Sequence, residues 1–172
     1  MSTKDQVLHW GPFSRIRRNH ALEHATLQVL SEQNPKLRMA GYSDTKGFWL
    51  VGEIETEKIE AAVDQALTRL RGGEASLAVH PNCGTNLVTT GFLAGALAWL
   101  SMLGTGRSSR DRFERLPMVI SMVTVAMLIA QPLGPFLQEH ITTDAVSGDL
   151  QVQRIERSMR GNVPMHRVTT IH

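Results

Sequence analysis

Two imidazoles and a carboxylate stand close together near the start of the chain, in Arg18-Asn19-His20-Ala21-Leu22-Glu23-His24-Ala25. On a helix His20 and His24, four apart, rise from one face and can share one metal ion. Glu23 lies beside them, where a carboxylate can take a proton from an attacking water, the general-base role in metal-assisted hydrolysis. Downstream, His80-Pro81-Asn82-Cys83-Gly84-Thr85 puts a histidine and a cysteine three apart on a Pro/Gly turn, and both are zinc donors. His20, His24, His80 and Cys83 together would complete a tetrahedral site. A full protein shell suits a structural ion, and three ligands with an open position suit catalysis. Spacing alone leaves open which holds, and which of His80 and Cys83 is the third ligand. Glu139, His140 and Asp144, in a third segment, offer a further ligand or a hydrogen-bond acceptor for one; the alternative is a helix end followed by a Thr142 or Thr143 cap. Without metal, His20, Glu23 and His24 would form a hydrogen-bonded cluster or a solvated face.

These residues need elements to hold them. Ile16, His20, Glu23, Leu27 and Leu30 recur at helical intervals, with Ser14 as N-cap and Pro35 beyond the end. Alternation over residues 36–54 around Ser43-Asp44-Thr45-Lys46-Gly47 predicts a hairpin. Ile59, Ala62, Val63, Ala66, Leu67 and Leu70 predict a second helix, capped by Thr56 and closed by Gly72-Gly73. Residues 74–79 read as a short third strand delivering His80. Residues 1–85 therefore form an α+β metal-site domain, which opens with a polar lead-in over residues 1–13 with no secretory h-region, where Trp10, Pro12 and Phe13 cap the first helix.

The composition then changes. Residues 87–103 and 116–137 carry no charge, and both runs are near the roughly 20 residues that cross a bilayer as a helix. Residues 86–138 are expected to form a transmembrane helical hairpin, with Gly91 and Gly95 as a GxxxG pair serving the hairpin or a homodimer. Arg107, Arg110, Arg112 and Arg115 place the connecting loop in the cytoplasm by the positive-inside rule. The lack of a signal and the first domain's own Arg15, Arg17, Arg18, Arg69 and Arg71 argue instead for a cytoplasm-facing domain, the orientation favoured here. Residues 139–172 would return to the same membrane face, with Leu150, Val152, Ile155 and Met159 on a short amphipathic helix ended by Gly161. A mobile tail would follow, with His166 and His172 at the surface.

The 172 residues suffice for one domain, or a small domain with a membrane segment. A net charge of +2 and no Arg-rich or zinc-finger signature exclude nucleic acid as the expected partner. Cys83, the single cysteine, excludes an intrachain disulfide.

Three motifs in order, HALEHA, HPNCGTN leading into an apolar helix, and LGPFLQEHITT after a second one, resemble the YqhQ-like family of bacterial membrane proteins, described as predicted metal-dependent enzymes. That family shows HGAEHK, HPRCGTSF and LQxxTT in the same order; a smaller uncharacterised group of single-domain bacterial proteins is similar as well. The resemblance spans residues 18–155 and implies a metal and a membrane, with His20, Glu23, His24, His80 and Cys83 carried over. Gln138, Thr142 and Thr143 match with one extra residue between the Gln and the Thr pair. The interval between the first two motifs is longer here, and a glycine-rich N-terminal motif is missing.

The expected function is a membrane-anchored hydrolase, a peptidase, dependent on zinc or another divalent transition metal, in a multi-pass protein of the cell membrane with Glu23 activating water. One alternative is a non-enzymatic membrane protein with a structural metal held by His20, His24, His80 and Cys83; another is a metal-free interaction module.

Overall fold

In the computed structural model, which describes residues 11–106, 108–146 and 148–172, the HxxEH residues lie mid-helix. This helix, α1 (Gly11–Gln33), starts a turn earlier than the expected Ser14 cap, so Ser14 is buried inside it. Of the expected N-terminal cap, Trp10 falls outside the described residues.

The predicted hairpin is β1 (Ala40–Asp44) and β2 (Gly47–Val51), joined by Thr45-Lys46. Gly47 holds φ at 138°, a backbone region that side chains rarely adopt. Helix α2 (Thr56–Arg71) buries the six predicted apolar residues, with Glu55 rather than Thr56 at its N-cap. The expected third strand is instead a 3₁₀ turn, Ala75–Ala78. Its neighbouring carbonyls turn toward α1 instead of toward a strand: Gln28 Nε2 donates to the oxygens of Leu77 and Val79.

The largest correction lies at the C-terminal end. The expected amphipathic helix and mobile tail are two strands, β3 (Gln151–Arg160) and β4 (Val163–Ile171), completing an antiparallel sheet of order β1-β2-β4-β3. The pairing of β3 with β4 shifts between Val152 and Arg154. A bulge adds one residue to a strand, so Val152 and Ile155, three apart, both pack on the core. That interval imitates a helix. His166, expected at the surface, is buried on β4 and pairs with the Thr56 hydroxyl at 3.1 Å. Leu22, Val29 and Leu30 of α1, Ile59 and Val63 of α2, and Phe48, Leu50 and Val168 of the sheet form one core with Leu150. The result is an α+β unit, comprising the chain up to His80 and again from Gln138 to His172.

The second unit, Pro81–Leu137, holds α3 (Gly84–Ser101) and α4 (Ser109–Leu137), which pack on each other. The expected pair of membrane spans is corrected here. Among the described residues one helix, Ser109–Thr142 when its terminal π turn Gln138–Thr142 is included, is long and apolar enough to cross a bilayer. Helix α3 falls short because Thr85, Asn86, Thr89 and Thr90 dilute its first turns, so a multi-pass arrangement is not supported. A Cβ at Gly91 or Gly95 would meet nothing within 4 Å, whereas one at Gly134 of α4 would strike Asn86 of α3. The close approach between the helices is at Gly134.

Candidate metal centre

The Nδ1 atom of His24 lies 2.7 Å from the Ala78 carbonyl oxygen, and that of His20 lies 3.0 Å from the Thr142 carbonyl oxygen. A carbonyl oxygen only accepts, so each ring donates its Nδ1–H, a hydrogen bond of the kind that orients metal-ligating histidines. The two ring centroids are 4.2 Å apart. Both belong to the first unit, and the pair could share a metal ion, whereas Cys83 belongs to the second unit.

His80 belongs to the first unit as well. Its ring lies 5.6 Å from that of His24, centroid to centroid. Burial, then the neighbouring His24, lowers its pKa. Cys83 is buried and stands at the N-cap of α3, where its Sγ accepts from the Thr85 amide. Glu139 and His140 are exposed, while Asp144 pairs with Arg17 at 3.6 Å.

Glu23 is 3 % exposed. Burial pushes its carboxyl above the usual range, opposed by the Ser43 hydrogen bond and the charge of His20. The Ser43 hydroxyl donates to Oε2, and a Cβ at position 41 would collide with the same carboxylate. Gly41 therefore makes the room and Ser43 fixes the orientation, both from β1.

Several residues that position the imidazoles escaped the spacing argument. Arg17, one turn before His20, donates from Nε to the Ile141 carbonyl at 2.7 Å and from Nη2 to that of Thr143 at 2.8 Å. It thereby grips the segment whose Thr142 oxygen orients His20. Gln138 is fully buried, and its Oε1 accepts the His80 amide at 2.8 Å, while its carbonyl accepts both the amide and the hydroxyl of Thr143. Asn19 donates to the Asp44 carbonyl and accepts from the Thr170 hydroxyl, tying α1 to β1 and β4. A signal for Gln138 and the Thr pair existed in the LQEHITT stretch. For Arg17 there was none beyond its place beside the motif.

Imidazole nitrogen is a common ligand of divalent transition metals, and the two rings on one helix face could share such an ion. Among known proteins, this chain is 36% identical over 156 residues to an uncharacterised protein of Picosynechococcus sp., the alignment covering 83% of this chain and 72% of that one. No solved structure matches it. A family model matches residues 15–155, a span that includes His20, Glu23, His24, His80 and Cys83, and the chain belongs to that family, Domain of unknown function (DUF6391).

Proposed function

We propose that this protein is a zinc-dependent hydrolase, a peptidase, seated in a membrane by α4. The observation that carries the reading is the pair of imidazoles, 4.2 Å apart and each with its Nδ1 oriented by a carbonyl, that of Ala78 or Thr142, on the helix that also carries the buried Glu23 carboxylate. His20, His24 and Cys83 would hold the ion, and a bound zinc supplies a Lewis acid for a carbonyl oxygen. Glu23, held by Ser43, takes a proton from water as the water oxygen bonds to the amide carbon. It returns that proton to the leaving nitrogen as the C–N bond breaks, giving a carboxylic acid and an amine. The membrane part of the reading is supported by the exposed apolar side chains of α4, such as Ile120 at 64 %.

A second reading, a structural ion without catalysis, is favoured by the near-complete burial of His24 and Glu23 and by the nearness of the His80 ring. Elemental mass spectrometry on detergent-purified protein, with cleavage of oxidised insulin B chain measured alongside, separates the two. The hydrolase reading expects about one zinc per chain in wild type and Glu23→Gln, loss of metal in His24→Ala and Cys83→Ser, and loss of cleavage in all three variants. Zinc with no cleavage in wild type, and metal loss in His80→Ala as well, supports the structural ion instead. Failure of wild type to take up added zinc overturns both.

A further inference from the structure

The sheet has two edges, β1 and β3. Arg154, Glu156, Arg157 and Arg160 run along β3 and its ladder is bulged, the features by which proteins discourage an additional strand. Ala40-Gly41-Tyr42-Ser43-Asp44 of β1 has no lysine, arginine or proline, and its pairing with β2 runs without a shift.

The hairpin register decides which groups the β1 edge presents. Asp44 and Gly47 flank a two-residue turn, so they exchange both ladder hydrogen bonds. Alternation then directs Tyr42 and Ala40 toward β2 and turns the N–H and C=O groups of Gly41 and Ser43 outward. Gly41 and Ser43 are also the residues in contact with Glu23. We propose that an extended polypeptide adds as a fifth strand to the outer edge of β1, hydrogen-bonding to Gly41 and Ser43, and is thereby presented to the Glu23 site as substrate. The substrate class is an unfolded or extended peptide segment; its role as substrate rests on the hydrolase reading above.

The opposite face of β1 adds a preference. Tyr42 is 49 % exposed and stacks on Trp49 at 6.3 Å, with the Arg167 guanidinium 5.2 Å from the Trp49 ring centre. A peptide residue beside Tyr42 would lengthen this cross-strand row, which favours an aromatic or apolar side chain there.

The test uses full-length Glu23→Gln protein, zinc-loaded in detergent, with oxidised insulin B chain as the probe and amide hydrogen exchange as the readout. Strand addition slows the Gly41 and Ser43 amides tenfold or more and leaves the Tyr42 amide, already in the ladder, unchanged. Proline at an outward position removes a donor to the new strand without removing a β1–β2 bond. Ser43→Pro therefore weakens probe binding at least tenfold relative to Ser43→Ala, which loses the hydroxyl alone. Should Ser43→Pro loosen the ladder, seen as lost protection at Trp49, Tyr42→Ala decides: threefold or more weaker binding supports the proposal, and unchanged binding overturns it.

Probe binding that leaves both amides unprotected overturns it, as does absence of binding at millimolar probe. The same holds if the two amides are protected without probe in a species of doubled mass, which would mean that β1 pairs with a second copy. Wild-type cleavage with an unprotected edge would leave the hydrolase reading standing and sink strand addition. Protection by the probe in a chain without zinc or cleavage would do the reverse.

Discussion

Helices α1 and α4 invert the ordinary rule in opposite directions. Helix α1 buries Arg17, Asn19, Glu23, His24 and Thr26, whereas α4 buries only Ala126, Ala130 and Gly134 and exposes Phe113, Ile120, Met127, Leu128, Ile129 and Phe136. A buried polar side chain or a large exposed apolar patch is the informative departure in a folded protein. In α1 each polar group is answered by a carbonyl, hydroxyl or carboxylate, largely from distant segments, so its burial is a built site. In α4 the exposed side chains are apolar, and among the described residues it is the one helix long and apolar enough to cross a bilayer. One molecule thus has a helix with a buried polar face and another with an exposed apolar one.

The comparison breaks first at Arg17, where the largest effect is expected. Its side chain is buried, holds two carbonyls and pairs with Asp144. Removing one member of a buried pair leaves the other uncompensated and costs about 3–5 kcal/mol. Arg17→Met should lower unfolding stability by about 3 kcal/mol and, because the Thr142 carbonyl is no longer held against His20, weaken zinc binding roughly 10–100-fold. Thermal unfolding and a competitive chelator titration check this. A loss below about 1 kcal/mol, the scale of an exposed pair, with unchanged zinc affinity would mean that the buried polar face of α1 is not organised around the metal centre.

Arg17 also shows what spacing could and could not reveal. The HxxEH residues, the hairpin and α2 are local patterns, set by intervals of two, three and four, and they were legible. The partners of Arg17 lie more than 120 positions away, and no periodicity encodes them. Strands β3 and β4 were missed because the bulge at Val152 and Arg154 gives a strand the interval of a helix. The central strand β4 was further disguised by Pro164, His166 and Arg167, polar or turn-forming residues that its position inside the sheet accommodates. At the candidate metal site the HxxEH interval was readable, but not the hydrogen bonds of the two Nδ1 atoms, which depend on carbonyls from two distant turns.

The next effect tests the other helix. Met127 sits in the middle of the uncharged run and is half exposed. An arginine near the centre of a spanning helix costs about 2.5–3.5 kcal/mol on insertion scales. Wild type should stay with membranes through alkaline carbonate extraction, and Met127→Arg should move a large fraction to the soluble or aggregated pool. Wild type released quantitatively as a monodisperse soluble protein would overturn the contrast, because the exposed face of α4 would then be tolerated by water.

The smallest effect is at the rim of the polar network. Asp44 closes the hairpin, accepts from Arg167 in two hydrogen bonds of 2.8 Å and from the Lys46 amide at 2.7 Å, and receives Asn19 of α1 on its carbonyl. Partial burial raises the pKa of its carboxyl, but the Arg167 hydrogen bonds and the Lys46 amide outweigh this and hold it below the usual value. A folded pKa below the unfolded one, about 3.9, gives stability that is present above that pH and is lost as the pH falls through the folded value. Because the carboxylate is largely solvated, Asp44→Asn should cost only about 0.5–1 kcal/mol near neutral pH. The gap from wild type should close as the pH drops below about 4. Denaturant titrations of both proteins at several pH values measure that gap. A gap that persists unchanged into acid would place the contribution of Asp44 in its geometry at the turn rather than in its charge, and the polar network of α1 would end at Asn19.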